Sequence, residues 1–112
     1  MNKNTDLSNN WEKIVLQLSD QFADGDRIDM ESIMYLIGIQ ELGKGFLEFS
    51  KDDKINLMHI AICKLLEPMG YYKFDQLDED GWPHYNLQKE VPKLSTQKQT
   101  EMMQKAIIDY FN

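Results

Sequence analysis

Apolar residues recur at helical spacing in four segments of this chain, and the period changes between the third and the fourth. Trp11, Ile14, Val15, Leu18 and Phe22 fall on one stripe and predict a first helix from about Asn10 to Ala23. Asn9 is placed to cap it, with Glu12 reaching back to the cap amide, and Gly25 follows as the stop. The second pattern predicts a helix from Met30 to Leu42 behind Asp29. There Ile33, Met34, Leu36, Ile37, Ile39 and Leu42 cover most of the circumference, so the helix should be largely buried. Gly38 in its middle weakens a helix by about 1 kcal/mol relative to Ala, which predicts that another helix crosses closely at that position.

The third pattern opens on "SKDD", with Ser50 as cap and Asp53 as its reciprocal partner, and runs from Lys51 to Leu66. Beyond its first turn it is mostly apolar (Ile55, Leu57, Met58, Ile60, Ile62, Cys63, Leu65, Leu66), the signature of a central helix. "EPMG" ends it, because Pro68 disfavours helix at Glu67. The last pattern, capped by Thr96 with Gln99, predicts a helix from about Gln97 to Tyr110. Met103, Ala106, Ile107, Tyr110 and Phe111 face inward, while Met102 and Ile108 lie off that stripe. This excess points to a wider buried face or to a homo-oligomer formed through the C-terminal helix.

Between the third and fourth helices the chain reads "YYKFDQL", "DEDG" and "WPHYNL". Two runs rich in β-formers around Asp-Gly predict a β-hairpin, or else an ordered loop, with Gly81 in the left-handed position of the turn. Pro83 lacks a donor, so its strand should be an edge. Alternation puts Tyr72 and Phe74 together on the face that packs on the helices. The expected fold class is therefore mainly α: a four-helix compact domain over residues 9–112 with the hairpin inserted between helices 3 and 4, and a flexible N-terminal arm over residues 1–8.

Composition narrows the function. The net charge is −7, from 19 acids against 12 bases, and Arg27 is the sole arginine. A phosphate backbone is bound by clustered Lys and Arg, so this balance argues against nucleic acid. One cysteine, Cys63, excludes an internal disulfide and a four-cysteine zinc site. The polar start "MNKNTDLSNN" lacks the apolar core of a signal peptide, and no apolar run reaches the ~20 residues of a membrane span. The expectation is a cytoplasmic protein with no membrane partner.

The chemistry-bearing residues form no complete constellation. A calcium loop centred on Gly25 matches at Asp20, Asp24 and Glu31 but has Phe22 at its third position. One centred on Gly81 matches at Asp78 and Asp80 but begins at Gln76 and ends at Leu87. His59 and Cys63, four apart on one helix face, with His84 from the hairpin, would give three metal ligands that Asp78 or Asp80 could complete. The bland alternative is a buried thiol acting as a small hydrophobe. Catalysis by Cys63 would need an exposed thiol of lowered pKa, and acid–base work by Asp78, Glu79 and Asp80 competes with their role as a solvated turn. No catalytic residue, metal site or cofactor is therefore assigned, and the balance lies against an enzyme.

The element order is similar to that of winged-helix proteins, which would place the third helix in a DNA groove. That helix has an apolar exterior and the would-be wing is acidic, so repulsion from phosphate opposes the function. The leading expectation is a non-enzymatic protein-interaction module. Its contact surface would lie in the aromatic and acidic insertion of residues 71–87, at Asp78, Asp80, Trp82, His84 and Tyr85, with rings supplying desolvated area and acids steering a basic protein partner. The alternatives are a small metal-dependent enzyme using His59, Cys63 and His84, and a winged-helix-like DNA-binding regulator.

Overall fold

The computed structural model describes residues 3–112, with side chains from Asp6 onward. Four helices, α1 (Lys3–Phe22), α2 (Met30–Leu42), α3 (Lys51–Leu66) and α4 (Thr96–Phe111), enclose in sequence a hairpin of β1 (Tyr72–Leu77) and β2 (Pro83–Leu87) between α3 and α4. The chain is mainly α, as its periodicity indicates. It divides into two compact units: one carries α1 and α4, the other is Met34–Pro92, and the boundary falls inside α2.

In the first unit α1 packs on α4, and Ile14, Val15, Leu18, Ala106 and Ile107 are buried. Two helix starts differ from expectation. The first helix begins at Lys3, so residues 3–8 are helical and Asn9 lies within the helix instead of capping it. The segment is polar but contains no helix breaker, and Asp6 in the first turn complements the helix dipole. Polarity alone thus misplaces the boundary. Glu12, expected to reach back to Asn9, pairs with the Arg27 guanidinium, whose hydrogen bond holds the carboxyl below its usual range. At α4 the cap is Ser95 and not Thr96: the Ser95 hydroxyl accepts from the Lys98 amide at 3.2 Å. The two hydroxyl residues are adjacent, and sequence does not say which one turns extended. Ile108, off the expected stripe, is buried too, so the apolar face of α4 is wider than a single stripe. Ser19 is the buried polar residue here, and its hydroxyl accepts from the Ile28 amide at 2.9 Å.

The second unit is built on a helix crossing. Caps fall where the sequence puts them: Asp29, in the first unit, accepts from the Ser32 amide at 2.8 Å through Oδ1, and Ser50 and Asp53, in the second, form a reciprocal box. At Gly38 the crossing is so close that a Cβ would stand 2.3 Å from the Leu57 carbonyl oxygen. The missing side chain therefore lets α2 reach the backbone of α3, as predicted from the glycine. Ile39, Leu42 and Leu57 form a buried cluster against which Tyr35, Phe49 and Trp82 pack, with the Tyr35 and Phe49 rings edge to face at 6.3 Å. α3 is not enclosed on all sides. Leu57, Ile60, Ala61, Cys63, Leu65 and Leu66 are buried, but Ile55 is 60% exposed and His59 also faces solvent.

The hairpin is antiparallel, pairing Tyr72 with Leu87 and Phe74 with Tyr85; after a bulge at Asp75, it pairs Gln76 with His84 and Leu77 with Pro83. With two strands, each is an edge, which accommodates Pro83. Glu67, at the end of α3, accepts from the Phe74 amide at 2.9 Å, and Lys64 stands between Glu41 and Glu67. The Glu67 bond to the Phe74 amide and the Trp82 ring, packed against the cluster that includes Leu57, hold the hairpin to α3. Tyr72 packs edge to face on His59 at 6.3 Å. Phe74, expected beside it against the helices, is 44% exposed and meets the Tyr85 ring at 5.8 Å instead. The bulge follows directly after Phe74 and changes the strand's course there. No described helix is long and apolar enough to cross a membrane.

Candidate functional site

A cleft of about 340 Å³ opens between α3 and the turn end of the hairpin. One wall is a stripe of α3: Asp53, Asn56, His59 and Ile60, at helical spacing on one face. The other wall is Asp78, Asp80, Trp82, Pro83, His84 and Tyr85. All five residues expected to form a contact surface thus line one concavity. Of its α3 wall the sequence singles out His59 alone for chemistry, as a candidate metal ligand, and not Asp53, Asn56 or Ile60. The signal for the wall was present, because Asp53, Asn56 and His59 are polar positions three apart, and the last two interrupt the mostly apolar stretch beyond the first turn.

Asp78 organises the turn. Its Oδ1 accepts from the amides of Asp80 and Trp82, each at 2.9 Å, while Oδ2 lies 2.9 Å from His84 Nε2. The backbone closes the same turn through Gly81 N–H to the Asp78 carbonyl at 3.0 Å and Asp78 N–H to the Trp82 carbonyl at 2.9 Å. Gly81 has φ of 85°, the left-handed conformation the Asp-Gly signature foretells. From the α2–α3 connection, Lys44 Nζ donates to the Asp80 carbonyl and secures the turn from outside. The His84 hydrogen bond, foremost, and the Trp82 and Asp80 amides hold the Asp78 carboxyl below its usual range. This carboxylate is therefore ionised and fixed in place.

Trp82 has two roles in this geometry. Its ring leans on the Ile39, Leu42 and Leu57 cluster while part of it faces the cleft. Tyr85 is half-buried. Burial first, then the nearby Glu41 and Glu67 charges, push its phenol to about 12, so it remains a neutral donor and acceptor.

His59, read from sequence as part of a buried apolar helix, is exposed at the cleft wall, with Nε2 3.5 Å from Cys63 Sγ. Cys63 is fully buried, and burial raises its thiol to about 11. A thiol in that state is neither a nucleophile nor a ready metal ligand. His84 is engaged by Asp78, and among the described residues no group of three His, Cys, Asp or Glu side chains is placed to hold a metal ion. The cleft thus offers fixed negative charge, two imidazoles and two partly exposed rings on a rigid frame. Those are the means of binding a cationic, partly apolar group.

The fold and site together define a mainly α protein with a hairpin held over one helix to form an acidic, ring-lined cleft. No family model matches the chain, and no curated protein or solved structure matches it significantly.

Proposed function

We propose that this chain is a non-enzymatic protein-interaction module that takes a basic segment of a partner protein in the cleft between α3 and the hairpin. The observation that carries this reading is the convergence of Asp53, Asp78 and Asp80 with Trp82 and Tyr85 around one opening. Carboxylates attract and orient a Lys or Arg side chain, and ring faces accept its cation and alkyl stem. Trp and Tyr supply contact area with few torsions to freeze, which is why such rings dominate binding hot spots. The Asp78 hydrogen bonds fix the turn in advance, so little ordering entropy opposes binding.

The test is a nuclear magnetic resonance titration at low salt with the peptide Ac-GKRKRG-amide, against an acidic peptide of equal length. Amide shifts are expected at Asn56, His59, Asp80, Trp82 and Tyr85 with the basic peptide alone. Asp80→Lys, which spares the Asp78 hydrogen bonds, is expected to weaken binding about fivefold, the scale of exposed charge pairs. Shifts scattered over the chain, or equal for the two peptides, would sink the reading.

A further inference from the structure

The chain has two histidines, and both line the cleft, from opposite walls: His59 on α3 and His84 on β2. Neither fills the core, since both are exposed. His84 is held by Asp78 Oδ2 at 2.9 Å. His59 is held by the edge of the Tyr72 ring and by Cys63 Sγ. Histidine is the side chain whose ordinary charge change falls between pH 5 and 8. Placing every histidine of the chain among the acids of one concavity ties the charge of that concavity to proton activity in this range.

We infer that proton uptake by His59 and His84 switches the cleft from holding a cationic segment to releasing it. This inference rests on the reading of the cleft as a site for a basic segment and names how that site is regulated. With both imidazoles neutral, Asp53, Asp78 and Asp80 give the lining a charge of −3. Two added protons leave −3 + 2 = −1. Asp78 from the turn meets the His84 imidazole, while Asp80 from the turn and Asp53 from α3 line the same cleft, with Lys44 at the Asp80 carbonyl; Tyr72 from β1 and Cys63 from α3 meet His59. Carboxylates and ammonium groups ordinarily titrate outside pH 5–8. Tyr85 and Cys63, at about 12 and about 11, stay neutral there. Of the side-chain types lining the cleft, histidine is the one whose ordinary charge change falls in that window. One of those protons acts locally as well: a protonated His84 makes a charge-assisted bond to Asp78 Oδ2 and offsets that carboxylate's charge.

The test uses the full chain and Ac-GKRKRG-amide, which has no group titrating between pH 5 and 8. Dissociation constants are measured by fluorescence anisotropy of the labelled peptide at pH 7.5 and pH 5.5, at one ionic strength. Binding is expected to weaken about fivefold at the lower pH, the combined effect of two exposed charges. In the double variant His59→Gln, His84→Gln the ratio between the two pH values is expected to fall to about one, whatever its affinity at pH 7.5. Linkage supplies a second measurement that needs no variant. If protons oppose the peptide, the peptide must expel protons, so the heat of binding at pH 6.5 is expected to depend on the ionisation enthalpy of the buffer. No binding at pH 7.5 would overturn the basic-segment reading together with this inference. Binding of equal strength at both pH values, or heat independent of buffer, would overturn the proton control alone and leave that reading standing.

Discussion

The crossing at Gly38 and the turn at Asp78 are both close approaches within Met34–Pro92, and they are achieved by opposite means. At Gly38 a side chain is absent, two helix backbones come together, and Ile39, Leu42 and Leu57 close over the contact. At Asp78 a single exposed carboxylate gathers two amides and an imidazole. The first is apolar and buried, so neither pH nor salt reaches it. The second is ionic and wet, so protons and salt do. The frame is thereby insulated from conditions to which the rim responds.

Substitution at Gly38 should break this contrast most severely. In an exposed helix, Gly→Ala stabilises by about 1 kcal/mol. Here the new Cβ meets a backbone carbonyl that cannot move aside, and Gly38→Ala is expected to destabilise by about 3 kcal/mol in denaturant unfolding. Stabilisation instead would mean the crossing is looser than described. Trp82→Ala should come next, at about 2 kcal/mol, less than a fully buried Trp because the ring is only half enclosed. Trp82→Phe should recover most of that loss; equal losses in the two variants would deny the packing role.

The smallest expected effect is at Asp78. Its folded pKa is depressed, so its contribution is present above the ordinary carboxylate range and is lost as pH falls through the folded value. Unfolding midpoints measured from pH 7 down to pH 2 should fall less steeply in Asp78→Asn than in the native chain, the two curves lying apart at pH 7 and converging at the acid end. Parallel curves would separate Asp78 from the stability of the turn.

Much of this was legible because it is local. The bounds of α2 and α3, the caps at Asp29 and Ser50, and Gly81 in its turn follow from residues within four positions of one another. The start of α1 was misread because a polar segment without breakers is ambiguous between arm and helix. The cap of α4 was misread because Ser95 and Thr96 are equivalent in composition. The hairpin residues that line the cleft could be named from their chemistry, and so could His59, but Asp53 and Asn56 beside it on α3 could not. Asp53 to His59 and Asp78 to Tyr85 are joined by no periodicity, only by the way the hairpin folds back.

The order of elements, the limits of α2 and α3 and the need for a close crossing at Gly38 were thus set by sequence alone, since hydrogen bonding, capping and side-chain volume act over short range. Which face of α3 stays open, that Trp82 is half core and half rim, and that both histidines share one cleft with three acids were decided only in three dimensions. These depend on how far the hairpin leans over α3. That placement rests on the Glu67 carboxylate at the Phe74 amide and on the Trp82 ring against Ile39, Leu42 and Leu57, contacts between separate elements that no single stretch of chain encodes.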